Sequence, residues 1–200
     1  VDLTATGAKA VVPGTGPIVV SLGDSYISGE AGRWAGNVIK TSNFGVTDAL
    51  SYKAYDDAGA DEAIKDCHRS RQAEVNFTPA GSASVNLACS GATALSDYSS
   101  KSNTWKPGID FAQQKVRSGA VGVGQAQLLK NLAAANPGRI GFIVLSIGGN
   151  DFDFGTIVGT CVEGFIKGGP CSKKKEVTSK VEEPNISKQR DKIAAAIDRL

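Results

Sequence analysis

The chain holds a single histidine, His68, among 200 residues, and no Cys-x-x-Cys pair. A compact tetrahedral zinc site is therefore excluded on ligand supply. No apolar stretch approaches the ~20 residues that a membrane-spanning helix requires, so no span is expected. Long runs of one charge are missing as well. With 22 Lys and Arg against 20 Asp and Glu, the net charge of +2 leaves no footprint of nucleic-acid binding, and Lys173-Lys174-Lys175 reads as a solvated loop. A Walker phosphate loop and a Gly-x-Gly-x-x-Gly turn after a strand are both lacking, which removes the main support for nucleotide binding. The N-terminus, Val1-Asp2-Leu3-Thr4, has neither a start methionine nor a signal-like apolar block and reads as a processed mature end.

What is present points to one globular unit: 200 residues with 41% apolar types bury a substantial core without filling two domains. Residues 1–16, small, polar and punctuated by Gly and Pro, read as an N-terminal arm, and 17–200 as the domain. Four cysteines at close spacings, Cys67 with Cys89 and Cys161 with Cys171, suit two disulfides and an oxidising, secreted setting. Three connectivities are open to four cysteines, and nearest-neighbour pairing is preferred.

Three apolar runs end in small-polar turns. Ile18-Val19-Val20-Ser21-Leu22 ends at Gly23-Asp24-Ser25; Ser84-Val85-Asn86-Leu87-Ala88 ends at Cys89-Ser90-Gly91; Ile140 to Ile147 ends at Gly148-Gly149-Asn150-Asp151. Strands apolar throughout, separated by helical segments, predict a parallel sheet covered on both faces, a three-layer α/β/α sandwich. Helices are predicted over 125–135, stopped by Asn136-Pro137-Gly138, and over about 186–200, where Ile193, Ile197 and Leu200 share a face. The irregular stretch from Gly29 to about Asp66 is a candidate binding loop. Its aromatics Trp34, Tyr52 and Tyr55, with Trp105, read as loop anchors before pocket walls.

Ligands bind beyond the carboxyl ends of the strands in open parallel sheets, so the three turns should converge. A hydroxyl on a tight turn before a helix, at Ser25, is a candidate nucleophile whose own amide faces the same point. Gly91 lets backbone approach a developing oxyanion, and Asn150 offers a neutral donor. Asp24 and Asp151 are expected to brace the turns, because a carboxylate facing the oxyanion would oppose it. The Gly-x-Ser-x-Gly elbow is not met, since Ile27 stands at its last position.

Taken together, Gly23-Asp24-Ser25-Tyr26, Ser90-Gly91 and Gly149-Asn150-Asp151 resemble the three front blocks of the GDSL, or SGNH, hydrolase family in its secreted, disulfide-containing actinobacterial style, with Tyr26 in place of the common Leu. The resemblance spans about residues 17–155. It implies a flavodoxin-like fold, Ser25 as nucleophile, an oxyanion hole of Ser25 N–H, Gly91 N–H and the Asn150 side chain, no cofactor, and lipid, small acyl or carbohydrate acyl esters as substrates. The family's Asp-x-x-His block does not occur before Leu200. The general base is therefore expected on polypeptide beyond Leu200, a complementing C-terminal segment, and the 200-residue chain alone should turn over weakly. His68, in a segment similar to the family's Cys-x-Arg-Ser stretch, reads as an exposed loop histidine rather than as a substitute base. The alternative to an enzyme is a non-catalytic ligand-binding or structural module that kept this half of the site.

Overall fold

The computed structural model describes residues 11–30, 55, 62, 64–99, 104–115 and 121–200. Along the chain come β1 (Ile18–Gly23), the one-turn helix α1 (Ser25–Ser28), and β2 (Ala83–Asn86). The short strands β3 (Asp97–Ser99), β4 (Thr104–Lys106), β5 (Gln113–Lys115) and β6 (Val121–Val123) follow. Then come α2 (Gln125–Ala135), β7 (Ile140–Ser146), α3 (Phe154–Ile166), α4 (Lys175–Val181) and α5 (Asn185–Ile197).

The fold is mixed α/β, and its centre is a parallel sheet in the order β2-β1-β7. β1 is the middle strand and is covered on both faces: Ile18, Val20 and Leu22 share one face and are fully buried, as are Leu87, Leu128 and Leu132 in the same core cluster, while half-buried Val19 and buried Ser21 occupy the other. Burying each such side chain contributes roughly 1.5–3 kcal/mol. Gly23 closes β1 at φ +134°, and a Cβ there would sit 1.8 Å from the Ser146 carbonyl oxygen, so only glycine lets β1 and β7 meet at this rung.

The three strands, the helix over 125–135 and the C-terminal helix are where the sequence predicts them, with α5 stopping at Ile197. Coverage of both faces fails for β7. Phe142, Ile143 and Val144 are 68%, 45% and 42% exposed, because β7 is an edge strand and no described residue pairs with its outer side. A groove of about 450 Å³ beside it is lined by Phe111, Leu129, Ala133, Ile140, Ile143 and Leu200. α3 likewise exposes Val158, Val162 and Phe165.

Two antiparallel ribbons, β3–β4 and β5–β6, sit between the second and third sheet strands in sequence. Each strand is only three residues long, too short to leave a readable alternation. Within the N-terminal arm, residues 11–16 are tied down. Val12 is buried and donates its N–H to Asn136 Oδ1 at 2.9 Å, and Arg139 Nη1 holds the Val12 carbonyl at 2.6 Å. The cysteines form Cys67–Cys89 and Cys161–Cys171, the nearest-neighbour pairs. No helix among the described residues is long and apolar enough to cross a membrane.

Candidate active site

Each of the three small-polar turns lies at the carboxyl end of its strand, and direct hydrogen bonds tie them together. Gly23 accepts from the Cys89 amide at 3.0 Å, linking the first turn to the second. The Asn150 carboxamide donates to the Ala92 carbonyl at 2.8 Å, linking the third to the second. Asp24 donates its amide to the Ser146 carbonyl at 3.0 Å, linking the first turn to the end of the third strand. Parallel neighbours in register place all three ends at one edge of the sheet, so the order of contacts follows from the strand order.

Ser25 opens α1 and is half-buried; Gly91 is exposed at φ +77°, and Asn150 is half-buried. Neither Ser25 N–H nor Gly91 N–H has an acceptor among the described residues. Of the two Asn150 amide protons, one is fixed on Ala92, which orients the carboxamide and leaves the second for another acceptor. These are the donors that an incoming anionic oxygen needs.

Both aspartates brace turns, as expected. Asp24 caps α1 by accepting from Tyr26 N–H at 3.2 Å. Burial pushes its carboxyl above the ordinary range, and the nearby Asp151 carboxylate pushes the same way. Asp151, with no exposed side-chain surface, accepts from the Ala94 amide at 3.1 and 3.2 Å and pairs with Lys192 at 2.6 Å. Behind the first turn, fully buried Gln125 donates to the Gly23 and Pro107 carbonyls and accepts from Gly23 N–H. Nothing in the sequence marks that glutamine, which sits 102 residues from Gly23.

His68 is not an exposed loop residue, a correction to the sequence-based expectation. It is half-buried, stacks on buried Tyr55 with ring centroids 4.6 Å apart, and bonds Glu30 through Nδ1 at 3.1 Å. Glu30 in turn accepts from Ser90 Oγ at 2.5 Å. The hydrogen bond from His68 holds the Glu30 carboxyl below its ordinary value, and the same bond raises the imidazole. Through Nδ1 the imidazole is tied to Glu30 and so to the second turn, and it makes no hydrogen bond to Ser25 among the described residues.

Glu62, Asp66 and His68 offer three ligand atoms within 4.8 Å of one another. Glu62 is already engaged by the Asp66 and His68 amides at 2.6 and 2.5 Å, and the Lys106 ammonium bonds the Asp66 carbonyl. That trio is a loop cap with a cation beside it, a poor fit for a metal ion.

Buried Arg69 donates to the Leu87 and Ala88 carbonyls, fixing the chain just after β2, and the neighbouring disulfide anchors Cys89. No family model, no characterised protein and no solved structure matches this chain. Beside Gly91 lies a cavity of about 280 Å³, walled by Thr93, Leu95, Asp97 and Lys106. Next to Ser25 in sequence, exposed Tyr26 approaches exposed Phe154, with ring centroids 6.2 Å apart. Trp105 is buried and donates its indole N–H to the Val123 carbonyl at 3.1 Å, so it anchors a ribbon and lines no cleft. Trp34, Tyr52 and nearly all of the stretch from Gly29 to Asp66 lie outside the described residues.

Proposed function

We propose that the chain carries the nucleophile and oxyanion side of an SGNH-type serine hydrolase, a flavodoxin-like α/β/α protein that cleaves carboxylic esters outside the cell. The observation that carries this reading is the mutual bonding of three strand-end turns that leaves Ser25 N–H, Gly91 N–H and one Asn150 amide proton without acceptors among the described residues. Donors left open on three turns that are bonded to one another at the carboxyl ends of their strands, one of them the amide of a serine, suit an oxyanion. Two disulfides agree with an extracellular setting.

In the reaction Ser25 Oγ attacks the ester carbonyl while a base takes its proton. The carbonyl oxygen becomes an oxyanion held by the three donors, the alcohol leaves with that proton, and water then hydrolyses the acyl-enzyme. His68 makes no hydrogen bond to Ser25 among the described residues, so the base is proposed to be a histidine other than the one these 200 residues hold. The outer edge of β7, which pairs with no strand among the described residues, would seat a segment that brings it.

A fluorophosphonate probe applied to the full-length protein tests this directly. Labelling that disappears in Ser25→Ala is the expected outcome. Full-length protein that stays unlabelled, while folded, supports a non-catalytic binding module instead.

A further inference from the structure

Lys106, at the end of β4, is a half-buried lysine whose ammonium meets no carboxylate at ion-pair distance among the described residues. It bonds two backbone carbonyls instead, Asp66 O at 2.5 Å and Ser90 O at 2.9 Å. Its side chain then lies against Gly91: a Cβ at that glycine would be 3.7 Å from Cε and 3.9 Å from Nζ. Burial pulls the ammonium below the ordinary lysine range, while the charges of Asp66, Glu62 and Glu30 act in the opposite direction. Holding a desolvated cation on neutral carbonyls is costly unless the carbonyls matter.

One of them does. The Ser90 carbonyl and the Gly91 N–H belong to the same planar peptide group. We propose that Lys106 is a positioning residue for the oxyanion site, acting through the Ser90–Gly91 peptide to orient the Gly91 N–H and strengthen it as a donor. This rests on the assignment of Gly91 made under the proposed function. A charge-assisted bond at the carbonyl draws electron density across the C–N bond and makes the N–H more acidic; such cooperative strengthening is about 10–30% per bond. Orientation comes from the same contacts. Ser90 N–H is held by the Cys67 carbonyl at 2.9 Å, its hydroxyl by Glu30, and its carbonyl by Lys106, so the peptide plane cannot rotate away from an incoming oxygen.

The test needs a readout that turnover does not control. In wild type, the Gly91 amide nitrogen resonance, read by carbon detection so that proton exchange does not erase it, should move upfield as alkaline titration removes the Lys106 charge, with the Ala92 nitrogen following weakly. Lys106→Met should reproduce that shift at neutral pH, and Lys106→Arg should restore most of it. In the full-length protein, fluorophosphonate labelling of Lys106→Met should slow by about tenfold, less than the 10²–10³ lost when an oxyanion donor is removed outright. A Gly91 resonance unmoved both by the titration and in folded Lys106→Met overturns the proposal. If Gly91 responds while full-length wild type resists the probe, the lysine's role stands and the ester-hydrolase reading alone fails.

Discussion

The two flanks of β1 are finished to different degrees. On the β2 side, the chain leaving the sheet is bound by a disulfide, a buried arginine, a lysine and a Ser90–Glu30–His68 chain of hydrogen bonds, all within a few residues of Gly91. On the β7 side, Asn150 and Asp151 are well held, yet the strand leading to them presents Phe142, Ile143 and Val144 to solvent. The contrast teaches that rigidity of a turn and completeness of the surrounding core are separate properties. A site can be pre-organised at its centre while one wall of its scaffold stays bare.

The largest expected effect breaks the tie between the flanks at their shared strand. Gln125→Ala strips the first turn of its buried partners, leaving Gly23 N–H and the Pro107 carbonyl unpaired; at about 1–3 kcal/mol for each stranded group, urea denaturation should record a loss of about 3 kcal/mol or more. A loss below about 1 kcal/mol would mean that water replaces the side chain and that the turn is less sealed than its burial indicates.

An intermediate effect sharpens the tethered flank. Glu30 has a folded value below its ordinary 4.5, so its contribution is present above pH 4.5 and lost as pH falls through the lowered value. His68 has a folded value above its ordinary 6.5, so its contribution is full below pH 6.5 and lost as pH rises through the raised value. The pair therefore stabilises most between pH 4.5 and 6.5. Glu30→Gln should flatten both shoulders of a stability-against-pH curve measured by thermal melts. Asp24, whose folded value is raised, adds a slope of opposite sign on the acid side that the substitution leaves in place. Shoulders that persist in Glu30→Gln would detach the pair from the stability of this flank.

The smallest effect concerns the bare flank. Phe142→Ser should change stability by no more than about 0.5 kcal/mol and lower the tendency to associate, measured by denaturation and by light scattering. A cost near that of a buried phenylalanine would abolish the contrast.

Much of this was legible in the sequence because strong, local signals carried it. Uniformly apolar runs ending in Gly-Asp-Ser, Ser-Gly and Gly-Asn-Asp marked the parallel strands and their turns, and Asn136-Pro137-Gly138 marked the end of α2. Illegible were contacts between residues far apart that carry no periodic pattern. Gln125 reaches across 102 residues, Lys106 lies in a three-residue strand, and His68 looked like a loop residue because its partners, Glu30 and Tyr55, come from other parts of the chain. α3 escaped prediction as well, since its run of glycine, threonine and β-branched residues carries weak helix propensity, and its disulfide to Cys171 supplies order that composition does not advertise.

Gly23 has a consequence for how such proteins are recognised. Its missing side chain is demanded by the Ser146 carbonyl of the adjacent strand, and Asp24 is demanded by the Tyr26 amide that it caps, so the first two letters of Gly-Asp-Ser are set by the scaffold whatever the serine does. A pattern search on those letters therefore detects a joint in the scaffold at least as much as a reaction.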